Sequence, residues 1–117
     1  MFENKPETKI IEQTERTLQA ELSFPKDYLY FKGHFPDFPL LPGMIQIHLA
    51  IKFAQNCLKV NGKFSELRAI KFSQPILPDE TPILFLELDP TGTKLTFNFQ
   101  KDEKTYYSKG QVNFDPS

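Results

Sequence analysis

At 117 residues the chain is long enough to bury one core and short of the length at which chains divide, so a single domain over 1–117 is expected. Lys and Arg number 14 against 15 for Asp and Glu, which leaves no broad positive field for nucleic acid and no run of like charges for an interaction tail. Cys57 stands alone and cannot close an internal disulfide, the polar start MFENKPETKI lacks the apolar core of a secretory leader, and no apolar stretch nears the ~20 residues of a membrane span; a soluble cytoplasmic protein is the expectation.

Taken in chain order, KIIEQTERTLQAELSF (9–24) reads as one strand whose later half alternates strictly and so buries one face, with Pro25 closing it. PKDYLYFKGHF follows as a connection held to the core by Tyr28, Tyr30, Phe31 and Phe35. The one convincing helix runs from Met44 to about Lys59, with Asn61 and Gly62 able to supply a left-handed stop. At 100° per residue His48, Lys52, Gln55 and Lys59 share a narrow polar stripe. The remaining circumference is apolar, so other structure should wrap this helix. ELRAIKFSQPI, TPILFLELD, KLTFNFQ and KTYYSKGQVNF are strand-like runs separated by LPDE, PTGT and KDEK; ILFLEL alternates less cleanly than LTFNFQ and would be covered on both faces. Twelve Phe and four Tyr with no Trp suit a pleated sheet. Five or six strands around one helix is an α+β arrangement.

The stretch YFKGHFPDFPLLPGMIQIHLA (30–50) carries both histidines of the chain. Pro36, Pro39 and Pro42 fix φ at alternate steps and disfavour helix at the residues before them, so His34 heads a stiff extended loop. Gly43 opens the helix, where the first N–H groups lack intrahelical partners and the macrodipole is positive. Without a Cβ there, a carbonyl oxygen could approach that N–H closely, as in an oxyanion site.

The run GHFPDFPLLPGMIQIH resembles the signature of the hotdog-fold 3-hydroxyacyl-[acyl carrier protein] dehydratases, His-Phe-Pro-x-x-Pro-x-x-Pro-Gly before an apolar helix, with His34, Phe35, Pro36, Pro39, Pro42 and Gly43 at matching spacing. KFSQPILPDE is similar to the family's second signature through Lys71, Phe72, Pro75, Pro78 and Glu80, with Asp79 where Gly is usual. The resemblance implies a long central helix wrapped by a curved antiparallel sheet, a homodimer or assembly of dimers joined edge to edge, and an acyl tunnel at the interface. It implies that His34 takes the proton α to the thioester and that the Gly43 N–H holds the thioester carbonyl. A neutral imidazole, ordinarily titrating near ~6.5, suits the first role and a fixed N–H the second.

The sequence departs from that family at His48. Fourteen residues after the base the family carries Glu or Asp, contributed by the partner subunit, to protonate or orient the departing hydroxyl; Lys52 likewise replaces a usual Gln. His48 is therefore the candidate second catalytic residue, and a solvated helix face is its plainer reading. Phe31, Phe35 and Phe38, with Pro42 and Met44, are the candidate acyl-binding residues, core packing being the other use of such aromatics.

Cys57 falls on the apolar side of the helix and reads as a buried residue, and two histidines without further ligand spacing make no metal site. The resemblance implies no resident cofactor, since the acyl group arrives on the phosphopantetheine of acyl carrier protein or on coenzyme A. Lys32, Lys52, Lys63, Arg68 and Lys71 are the cations that could meet an acidic carrier protein. The expected activity is a lyase that removes water from a 3-hydroxyacyl thioester to give the trans-2-enoyl product, in a specialised fatty-acid or aryl polyene branch. A hotdog thioester hydrolase and a non-catalytic acyl or carrier-protein binding subunit are the alternatives.

Overall fold

A computed structural model of the chain describes residues 6–24 and 41–116. They form β1 (Glu7–Gln13), β2 (Thr17–Ser23), α1 (Gly43–Cys57), β3 (Lys63–Phe72), β4 (Ile83–Leu88), β5 (Lys94–Asp102) and β6 (Thr105–Asp115). The strands make one antiparallel sheet in the order β1-β2-β4-β5-β6-β3, so β1 and β3 are its edges.

The alternation read from the sequence decides which face is covered. Leu18, Ala20 and Leu22 of β2, Leu84, Leu86 and Leu88 of β4, Leu95, Phe97 and Phe99 of β5, and Val112 and Phe114 of β6 are all buried. Against them pack Ile47, Leu49, Ala50, Phe53 and Ala54 of α1. Full burial of one such side chain is worth roughly 1.5–3 kcal/mol, which makes this layer the main stabilising contact between helix and sheet. Phe97 and Phe99 meet edge to face, with centroids 6.3 Å apart at 75°.

Two boundaries and the cover of one strand differ from the sequence reading. Residues 9–24 are two strands, not one, because Thr14 makes a turn without Gly or Pro. Its hydroxyl oxygen accepts the N–H groups of Arg16 (3.2 Å) and Thr17 (3.0 Å), and its own N–H reaches the Thr17 carbonyl at 2.9 Å. The helix stops at Cys57, with Leu58 extended (φ −118°) in place of a left-handed stop. The first hairpin holds this end: Gln13 Nε2 donates to the Cys57 carbonyl (3.0 Å) and Lys59 N–H to Glu15 O (3.0 Å). Strand β4 is covered fully on one side only, since Ile83 and Phe85 are half-buried and Glu87 is exposed.

Edge strand β3 is exposed along most of its length and bends where its pairing with β6 slips between Arg68 and Lys71; Ala69 there has φ 54°. No helix among the described residues is long and apolar enough to cross a membrane.

Candidate active site

Of the residues singled out in the sequence, His34, Phe31, Phe35 and Phe38 lie outside the described residues. The helix start that follows them is well defined. Pro42 occupies the N-cap position and offers no side-chain acceptor, and no acidic side chain stands in the first turn to offset the positive end of the helix. The N–H groups of Ile45 and Gln46 both turn back to the Pro42 carbonyl, at 3.0 and 3.2 Å. Gly43 and Met44 precede them, in the turn where the helix has no acceptors of its own.

Gly43 and Met44 line a cavity of about 530 Å³ with Leu41, Gln46, Phe72, Ser73, Gln74 and Pro75. Its wall is mostly apolar, and Met44 (69% exposed) and Phe72 (50% exposed) stand at its open side. Absence of a Cβ at Gly43 leaves room for a neighbour that the sequence did not reveal. The ring of Phe72 rests on it, and an added Cβ would lie 2.6 Å from Cζ and 2.8 Å from Cε1.

Both sequence signatures meet here. Residues 73–80, from the second, form the loop against which the helix start is seated: Leu41 N–H donates to the Ile76 carbonyl at 2.9 Å. One residue of β6, Tyr107, holds that loop by its carbonyl and its hydroxyl. The Tyr107 carbonyl accepts Ser73 N–H (2.9 Å) and Gln74 N–H (3.4 Å), and the Tyr107 hydroxyl donates to Glu80 Oε2 at 2.7 Å. The other oxygen of Glu80 accepts Leu77 N–H at 3.0 Å, and Lys101 Nζ stands 3.4 Å from Oε2. Burial pushes the Glu80 carboxyl upward, but the Tyr107, Leu77 and Lys101 donors outweigh it and hold the group below the ordinary carboxylate range. Burial, then the neighbouring Glu80, pushes the Tyr107 phenol well above its usual value, so it stays a donor.

Gln46 is the interior member that the sequence reading passed over. It is 3% exposed; its Nε2 donates to the Leu41 carbonyl at 3.2 Å and its Oε1 accepts the hydroxyl of fully buried Ser108 at 2.6 Å. The available signal was a lone amide on the apolar side of an otherwise greasy helix.

The structure does not bring every candidate together. His48 is exposed, with half-buried Lys52 and exposed Gln55 and Lys59 on the same stripe, and is not among the residues lining the Gly43 cavity. Cys57 is half-buried and its thiol is free. Of the cations suggested for a carrier protein, Lys63, Arg68 and Lys71 are exposed along β3, Arg68 lying 4.0 Å from Glu66, while Lys32 is outside the described residues.

Comparison with known proteins places this geometry. A 3-hydroxyacyl-[acyl-carrier-protein] dehydratase FabZ of Clostridium perfringens is 28% identical over 91% of this chain and 83% of its own length. One from Polynucleobacter asymbioticus is 31% identical over 69% of this chain and 60% of its own. Among solved structures, a chain of the dehydratase heterocomplex ApeI:P from Xenorhabdus doucetiae superposes with a TM-score of 0.84 at 30% identity, covering 93% of this chain and 96% of that one. An uncharacterised protein from Erwinia carotovora gives 0.76 at 32% identity, with 95% and 96% covered. Mouse thioesterase superfamily member 2 gives 0.71 at 12% identity over 94% of this chain and 82% of that one, a likeness of fold alone. The helix wrapped by six antiparallel strands is thus the hotdog fold. Residues 10–111, which include the Gly43 helix start and the Glu80 loop that seats it, match the ApeI dehydratase model, and the chain belongs to that ApeI-like dehydratase family.

Proposed function

We propose that the chain is a 3-hydroxyacyl thioester dehydratase in which the Gly43 N–H receives the thioester carbonyl. The observation that carries this reading is the uncapped helix start, which presents its first N–H groups beside an apolar cavity, with no acidic residue in the first turn or among the described residues that line the cavity. In the proposed reaction His34 removes the proton α to the carbonyl. The electron pair moves toward the carbonyl oxygen held by Gly43, then forms the Cα–Cβ double bond as the Cβ–O bond breaks. The hydroxyl leaves as water with a proton from His48, so one proton enters and one leaves the histidine pair. These steps use side chains and one backbone amide, with the acyl group delivered on phosphopantetheine or coenzyme A.

His34 of one subunit would meet His48 of another, and the exposed ten-residue edge β3 is the strand available for pairing two sheets. A second reading follows from His48 itself: the Xenorhabdus relative is a heterocomplex, so a different hotdog subunit could supply a carboxylate to this chain's His34. The aryl polyene setting is proposed from the same family.

The test is incubation with 3-hydroxyacyl thioesters of several lengths, one of them aryl, followed by product mass. Loss of one water is expected from the homodimer. Turnover only after adding a second hotdog subunit would support the heteromeric reading, and release of free thiol without enoyl product would replace the lyase with a hydrolase.

A further inference from the structure

The cap of α1 does not place its own first turn, because Pro42 contributes no side-chain acceptor. The placement comes instead from a buried amide one turn inside. Gln46 uses both ends of its carboxamide, one on the Leu41 carbonyl and one on the Ser108 hydroxyl, while Leu41 N–H is held by Ile76 O. Ser108 faces the helix in the same alternation as Gly110, Val112 and Phe114, and the slip of the β5–β6 pairing between Phe99 and Gln100 turns its neighbour Tyr107 into the interior as well. Neighbouring β6 residues therefore hold the two parts of one cradle: Tyr107 the loop, and Ser108 the helix.

Stability does not demand such a pair. Two polar side chains taken out of water to bond each other contribute little net, and an apolar pair of the same shape would hold helix to sheet as well. What apolar packing lacks is direction. A hydrogen bond of 2.6 Å between side chains with almost no exposure fixes both the rotation and the axial position of the helix at Gln46, three residues from Gly43.

We propose that Gln46 and Ser108 are positioning residues for the Gly43 N–H, setting where the carbonyl-binding amide sits relative to the Phe72 wall. The inference rests on the reading of Gly43 as the carbonyl site. The stiff first turn carries the constraint from Gln46 to Gly43, and a displacement of about 1 Å at a reacting group costs up to roughly a hundredfold in rate.

Ser108→Val and Ser108→Thr are close in shape and differ in the hydroxyl, so they separate direction from volume. The expected result is a fall in kcat of about tenfold for Ser108→Val and for Gln46→Met, with KM for the 3-hydroxyacyl thioester held within about twofold, and recovery in Ser108→Thr. The double variant Gln46→Met/Ser108→Val should be no worse than either single change. The Gly43 amide resonance and its hydrogen exchange, followed in 15N-labelled protein, should move in Val and Met variants and return in the Thr variant. Unchanged kcat together with an unmoved Gly43 resonance in the folded Val and Met variants would overturn the proposal. If wild type shows no lyase turnover, the reading of Gly43 falls, while the resonance still decides whether this pair places it.

Discussion

The Phe72 ring packs on Gly43 so closely that a methyl group there would meet three of its carbons at 2.6 to 3.0 Å. Phe72 is half exposed and can swing away, so Gly43→Ala should cost no more than about 1 kcal/mol in stability. Its cost to turnover should be larger, about ten- to a hundredfold, because the methyl and the displaced ring crowd the amide proposed to hold the thioester carbonyl. Adding Phe72→Ala should restore the melting temperature without restoring kcat. Urea unfolding and steady-state kinetics on the two variants check both halves.

The Glu80 carboxyl, held low by its donors, gives a signed pH dependence. A depressed carboxylate stabilises the fold above the unfolded-state value near ~4.3 and loses that contribution as pH falls through the lower folded value. Glu80→Gln should therefore be less stable than wild type at pH 6–8, by about 1 kcal/mol, with the gap closing on acidification below about pH 4. Tyr107→Phe should cost about 1–2 kcal/mol at neutral pH by removing a donor from the same oxygen. The raised Tyr107 phenol adds stability below its unfolded value near ~10 that is lost at higher pH, so wild type should approach Tyr107→Phe under alkaline conditions.

His48 is exposed, so His48→Ala should shift stability by no more than about 0.5 kcal/mol. In the proposed role of proton donor to the departing hydroxyl it should nonetheless be needed, with kcat falling about a hundredfold. His48→Glu, which installs a carboxylate able to donate or orient the same proton, should retain more activity than His48→Ala. Equal activities for wild type and His48→Ala would remove His48 from the mechanism.

Gly92 is a backbone requirement. Its φ is 76°, and a Cβ would come within 2.8 Å of the Lys59 carbonyl, where no flexible side chain can yield. Its carbonyl accepts Asn61 N–H at 2.8 Å, tying the β4–β5 turn to the helix exit. Gly92→Ala should cost about 1–3 kcal/mol, read from denaturant midpoints.

Strands with a clean period of two were legible from sequence, as Phe97 and Phe99 show by facing inward while Thr96 is exposed. So was the helix, whose apolar stripe could only be buried. The Thr14 turn was not, because a threonine hydroxyl takes over work usually signalled by Gly or Pro. At the site, Gly43 was readable from its place after the proline run, but its neighbours were not. Phe72 and Gly43 are brought together by the bend of an edge strand. Ser108 keeps the inward phase of Val112 and Phe114, while Tyr107 beside it is turned inward by a register slip that no local pattern announces. His34, the proposed base, was readable as part of a motif, and its position lies outside the described residues.

The hydrogen bond between Gln46 and Ser108 spans 62 positions of sequence. During synthesis the helix can form early, but its first turn cannot be seated until the chain beyond Ser108 has emerged and β6 has joined the sheet. Closing so wide a loop is among the slower steps of a fold dominated by long-range pairing. The helix start, the proposed carbonyl site, is thus expected to be finished late, gaining amide protection together with β6 and well after the β1–β2 hairpin.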